Sequence, residues 1–163
     1  MKKIVLALSL LVCLFGVSNL FALEVAPKVG SLSPALELPD INNKIVSLAD
    51  LIGTKKTIIC FGASWSQNCQ DEFIKLGELA KQNSKSCQVI VISFDKKAKD
   101  LKAFVEKNDL TFPILQDKKL STLDRFQILI LPTTFCLNEQ GVIDKIFVDF
   151  DENIEKALAA WLK

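Results

Sequence analysis

The stretch Thr57-Ile58-Ile59-Cys60-Phe61-Gly62-Ala63-Ser64-Trp65-Ser66-Gln67-Asn68-Cys69-Gln70-Asp71-Glu72-Phe73 decides how this chain folds. Its first seven residues are apolar and rich in β-branched side chains, the pattern of a strand buried on both faces. From Ser66 the period changes, and Cys69, Phe73, Leu76 and Ala80 recur at helical spacing until about Asn83. The segment from Ser64 to Cys69 thus joins a buried strand to the start of an amphipathic helix. A cysteine there feels the positive end of the helix dipole and free backbone N–H groups, both of which favour its thiolate. Chemistry should sit at this junction.

Working outward, residues 35–38 and 45–48 read as short extended stretches around the turn-rich Pro39-Asp40-Ile41-Asn42-Asn43. Residues 88–94 form a second buried strand, and residues 98–107 a helix with Leu101, Phe104 and Val105 on one face. Phe112-Pro113-Ile114-Leu115 reads as a loop, and Leu120, Leu123 and Phe126 suggest a short helix after it. Strands over 133–137 and 142–148 are joined through Asn138-Glu139-Gln140-Gly141, a hairpin signal. Asp151 then caps a last helix, with Ile154, Leu158, Trp161 and Leu162 facing inward. The order β-α-β-α-α-β-β-α predicts an α/β three-layer sandwich with a mixed central sheet and helices on both faces.

The chain of 163 residues is half apolar and about a quarter charged, enough for one buried core. Lys2 and Lys3 followed by the apolar run 4–17 read as a signal peptide over residues 1–22, ahead of one domain over 27–163. Small residues place cleavage after Ser18 or after Ala22. A permanent anchor is the weaker reading, because the run is short for a bilayer. A lipoprotein reading of Leu10-Leu11-Val12-Cys13 is also weaker, since Val12 stands where a small residue is wanted. With Lys2 and Lys3 removed, 18 basic residues face 19 acidic ones, so nothing points to nucleic acid or an anionic membrane surface. The chain has no histidine, which excludes a Ser-His-Asp triad, a Cys-His dyad and any histidine metal site. Cys60, Cys69, Cys87 and Cys136 contain no C-x-x-C pair, which argues against structural zinc, so no metal is expected.

The segment 61–73 resembles the W-C-x-x-C-x-x-E-F segment of TlpA-like and ResA-like redoxins, members of the thioredoxin-fold AhpC/TSA superfamily. Leu131-Pro132-Thr133-Thr134-Phe135 is similar to their P-T-T-F motif, Phe112 to Asp117 to their F-P-x-x-x-D, and residues 29–51 to their N-terminal hairpin. Together these span nearly the whole chain after residue 22, in order. The resemblance implies a thioredoxin-like fold with a cis-proline at Pro132 and a substrate groove at Trp65, Leu131 and Thr133. It implies a site of Cys69, Ser66, Pro132 and Glu72, with Glu72 tuning the thiol. It further implies exported thiol-disulfide exchange or antioxidant work, in cytochrome maturation or thiol homeostasis. The implied partners are protein thiols and disulfides or a peroxide, with an upstream membrane thiol reductase as donor. No cofactor is implied, because a redoxin uses its own sulfur.

The sequence departs from that pattern at one position. Ser66 stands where the attacking cysteine of the pair belongs, and a serine hydroxyl with no base beside it does not replace a thiolate. Its structural reading is an N-cap of the helix. Three accounts stay open. Cys69 could be peroxidatic, since Ser66 to Glu72 fits T-x-x-C-x-x-E with serine for threonine. Against that account, Gly62 replaces the proline of that pattern, and the chain's one arginine, Arg125, does not stand at the activating position. Alternatively Cys69 pairs with Cys60, six residues before Ser66 on the strand, although Cys60 also reads as a small core residue. Lastly, the scaffold could have become a binding module that keeps its groove without turnover.

Overall fold

A computed structural model describes residues 26–163, so the signal peptide expected over residues 1–22 lies outside the described residues. Strands β1 (Glu37–Pro39) and β2 (Ile45–Ser47) form an antiparallel hairpin, followed by a single 3-10 turn at Leu48–Asp50. Strand β3 (Lys56–Gly62) leads into helix α1 (Gln67–Gln82), then β4 (Cys87–Ser93), helix α2 (Ala98–Lys107), β5 (Ile114–Gln116) and the short helix α3 (Thr122–Phe126). Strands β6 (Thr133–Leu137) and β7 (Ile143–Val148) and helix α4 (Glu152–Leu162) complete the chain. The main sheet has the order β5-β4-β3-β6-β7. Strands β3, β4 and β5 run parallel, while β6 is antiparallel to both β3 and β7, giving the mixed sheet that was expected.

One expectation fails. Residues 114–116 are an edge strand, not a loop, pairing Ile114 with Val91 and Gln116 with Ser93. Pro113 masks the strand in the sequence, yet it stands just before the first paired residue, where a missing N–H costs no ladder bond.

The strand β3 is central because its side chains serve two cores. On one face Ile59 and Phe61 pack with Ile90, Ile92, Phe126 and Phe135, beneath the hairpin and α3. Phe61 meets the Phe126 and Phe135 rings at centroid distances of 4.7 and 5.7 Å. On the other face Ile58 and Cys60 pack under α1, α2 and α4 through Phe73, Leu76, Leu101 and Leu158. Each fully buried side chain of this size contributes roughly 1.5–3 kcal/mol. The β6–β7 turn is the expected one: Asn138 Oδ1 accepts from the Gln140 and Val142 N–H groups, and Gly141 takes the positive φ of 76°. No helix among the described residues is long and apolar enough to cross a membrane.

Candidate functional site

The site forms where β3 ends and α1 begins, at the carboxyl edge of the parallel strands. Ser64 is fixed there by Asp95, which follows β4. The Asp95 carboxylate accepts from Ser64 N–H at 2.8 Å, Ser64 Oγ at 2.7 Å and Ser93 Oγ at 2.7 Å. The Gln70 side-chain amide donates to Ser64 O at 2.6 Å, closing the loop onto the helix. Trp65, between these anchors, is 71 % exposed. It forms one wall of a cleft of about 560 Å³ that also touches Phe104, Lys97 and Lys107.

Ser66 occupies the N-cap position in an extended conformation, and its carbonyl accepts the Gln70 N–H at 3.0 Å. The expected side-chain cap is absent, and the hydroxyl instead favours the Cys69 thiolate. Cys69 is fully buried. Burial pushes its thiol above the usual range. The Ser66 hydroxyl and the Ala63 backbone pull it back only in part, and the charges of Glu72 and Asp95 push it further up. Gly62 makes the space for this sulfur: a Cβ on Gly62 would stand 3.0 Å from Cys69 Sγ and 2.8 Å from Phe73 Cζ.

Beneath Cys69 lies a buried polar group. Glu72, one helical turn on, accepts a hydrogen bond from Thr134 Oγ1 at 2.7 Å through Oε1, while its Oε2 has no hydrogen-bond partner among the described residues. Thr134 stands directly across the β3–β6 ladder from Cys60. Burial raises the Glu72 carboxyl to about 7; Thr134 and the Cys60 thiol lower it in part, and Asp149 raises it. Cys60 is held well above the thiol range by burial and then by Glu72. A buried carboxyl that titrates near neutrality can take a proton from a neighbouring thiol and return it.

The third part is the loop before β6. The Leu131–Pro132 peptide is cis, as the resemblance implied. Pro132 and Thr133 are buried, with Thr133 Oγ1 turned back to Ile130 O at 2.7 Å, so of the expected groove residues only Trp65 and Leu131 offer surface. Leu131 N–H and C=O make no hydrogen bond among the described residues. Beside it, Leu129 and Ile130 are 93 % and 53 % exposed.

The fold thus gathers Cys60, Cys69 and Glu72 into one core beneath the helix start, and it puts Trp65 outside. Cys60, Cys69, Cys87 and Cys136 are all free thiols, and Cys87 and Cys136 lie in the core, away from the helix start. Arg125 donates to Ala35 O at 2.7 Å, toward the N-terminal hairpin. Sequence reasoning missed Asp95, Thr134, Asn68 and Asp149. The place of Asp95, just past the carboxyl end of a parallel strand, is a signal that could have found it.

Residues 29–146 match the AhpC/TSA family. The chain is 35 % identical over 128 residues to the thioredoxin-like protein YneN of Bacillus subtilis, covering 77 % of this chain and 74 % of that protein. It is 27 % identical over 143 residues to the thiol-disulfide oxidoreductase ResA of the same organism, covering 85 % and 79 %. Among solved structures, a DsbE-type thiol:disulfide interchange protein from Chlorobium tepidum superposes with a TM-score of 0.75 at 25 % identity, covering 85 % of this chain and all of that one. With a five-stranded mixed sheet, a cis-proline loop and a thiol at the strand–helix junction, the chain belongs to the AhpC/TSA family and has the thioredoxin-like fold of its thiol-disulfide oxidoreductase relatives.

Proposed function

We propose that this chain is an exported thiol-disulfide oxidoreductase of the TlpA/ResA-like kind whose exchange is impaired because Ser66 holds the place of the attacking cysteine. The observation that carries this reading is the state of Cys69: a fully buried thiol with raised proton affinity, and no second cysteine in its helical turn. Export rests on Lys2, Lys3 and the apolar run after them. The names of the relatives ResA and DsbE support the class of reaction.

In the proposed reaction an extended polypeptide lies along Leu131, whose backbone groups make no hydrogen bond among the described residues. Cys69 passes its proton to Glu72 and attacks the substrate disulfide. One S–S bond forms as another breaks, and the departing thiolate takes the proton back from Glu72. The resulting mixed disulfide meets no cysteine in the motif. Cys60, in the same core and with its proton affinity raised by the charge of Cys69, is the redox partner this reading assigns. A peroxidatic reading is less well supported, because the chain's one arginine, Arg125, donates to Ala35 O at the N-terminal hairpin.

The test uses protein recovered from the cell envelope, where its N-terminus should begin after Ser18 or Ala22. Ser66→Cys restores an accessible thiol at the helix start and should speed reduction of a disulfide-bonded protein such as insulin by about 100-fold or more. A wild-type rate equal to that of Ser66→Cys would sink the idea of impairment.

A further inference from the structure

Asn68 lies between Ser66 and Cys69, and its side chain reaches across the site. Its carboxamide donates to Asp149 Oδ1 at 2.6 Å. Among the described residues this is the only side-chain hydrogen bond linking the first turn of α1 to the loop after β7. Asp149 is fastened on its other side as well. Its own N–H donates to Pro132 O at 2.8 Å, and Oδ1 also accepts the Phe150 N–H at 2.9 Å. The residue sits at φ 70°, a left-handed conformation that Asp and Asn tolerate better than most. A continuous path therefore runs from the helix start through Asn68 and Asp149 to the cis-proline loop.

Exposure changes sharply along this path. Asn68 and Asp149 are exposed, while Cys69 and Pro132, each bonded into the same two segments, are buried. The other ties of the motif, Gln70 to Ser64 and Ser64 to Asp95, do not reach the Pro132 loop. Opening an exposed hydrogen bond returns both groups to water, so its net cost is about 0.5–1.5 kcal/mol. Among the described residues it is thus the one side-chain hydrogen bond whose opening would part these two segments beside the buried Cys69 thiol.

We propose that Asn68 and Asp149 form a latch, holding the first turn of α1 against the Pro132 loop and setting how often Cys69 becomes accessible. They are positioning residues and touch no reacting atom. The proposal rests on the reading of Cys69 as the working thiol, and it supplies what that reading lacks, a way for a buried sulfur to meet a partner. Incoming polypeptide at the Leu131 edge would displace the loop and release the latch in the same movement.

The experiment is pulsed alkylation of the purified protein with iodoacetamide, each cysteine being followed separately by mass spectrometry. In Asn68→Ala, Cys69 should be labelled about tenfold faster than in wild type, while Cys87 and Cys136 keep their wild-type rates. Tenfold corresponds to about 1.4 kcal/mol in the opening equilibrium. Asp149→Asn keeps the Oδ1 acceptor and suits φ 70°, so it should label Cys69 at the wild-type rate. An unchanged Cys69 rate in Asn68→Ala would overturn the latch. So would parallel acceleration of all cysteines, which would mean a loosened fold, or acceleration by Asp149→Asn equal to that by Asn68→Ala. Alkylation needs no disulfide exchange, so the latch and the Ser66→Cys experiment fail independently.

Discussion

At the scale of single residues the site is defined by what surrounds one sulfur. Cys69 has a hydroxyl beside it, a carboxyl below it and a glycine facing it, and each sets a different property. The hydroxyl of Ser66 favours the thiolate slightly, Glu72 opposes it, and Gly62 gives the sulfur its room. The role of Gly62 can be weighed. Gly→Ala at an ordinary backbone position stabilises by about 0.4–1 kcal/mol through the unfolded state. Here the new methyl would stand 2.8 Å from a buried Phe73 ring carbon and 3.0 Å from Cys69 Sγ, and overpacking of this kind costs about 1–3 kcal/mol. The clash wins. Gly62→Ala should unfold at lower urea concentration by the equivalent of about 1–2 kcal/mol, with Cys69 more readily alkylated; a midpoint at or above wild type would refute the packing argument.

At the scale of elements, how far the sequence could be read follows from how each element signals itself. The buried strands β3 and β4, the stripe of α1 and the cap of α4 each carry a local pattern over many residues, and each is found where that pattern put it. Strand β5 is three residues long and owes its pairing to β4, so no local periodicity marked it. The site divides in the same way. Cys69, Glu72, Pro132 and Thr134 stand in contiguous motifs, although the bond from Thr134 to Glu72 forms only on folding, whereas Asp95 and Asp149 reach the site through tertiary pairing that composition does not encode. The behaviour of Ser66 was hidden for a related reason: a cap residue and a thiol neighbour look alike until the rotamer is known. The helix starts at Ser66 and Asp151 therefore make a useful contrast. Asp151 does cap, its Oδ1 accepting from the Asn153 and Ile154 N–H groups at 2.8 Å each, and α4 carries Leu158 and Leu162 onto the core. Asp151→Ala should cost about 1 kcal/mol, lowering the thermal midpoint by about 3 °C, with Asp151→Asn close to wild type.

For the molecule as a whole, the consequence of burying ionisable groups is a stability that depends on pH in separate windows. Glu72 is raised to about 7 from an ordinary 4.5, so the native state holds a proton that the unfolded chain has released. Stability is therefore fully present below pH 4.5, falls as pH rises toward 7, and levels off above it. The shift corresponds to about 3 kcal/mol. At the acid end the sign reverses. Burial pushes Asp117 up, but the N–H and hydroxyl groups of Ser121 and Thr122 outweigh it and hold the carboxyl below 3.8, so its contribution is lost as pH falls below that value. At the alkaline end the buried thiols, including Cys87 pushed up to about 11, resist ionisation that the unfolded chain undergoes above pH 9, and stability is lost again there. The profile should therefore peak near pH 4.5 rather than at neutrality. Glu72→Gln keeps an acceptor for Thr134 Oγ1 and cannot ionise. Its urea stability should match wild type at pH 4.5 and exceed it by about 3 kcal/mol at pH 8, with no decline between. A variant that follows the wild-type slope from pH 4.5 to 7 would show that the proton released in that window does not come from Glu72. The proton store beneath Cys69 would then have to be sought in another group.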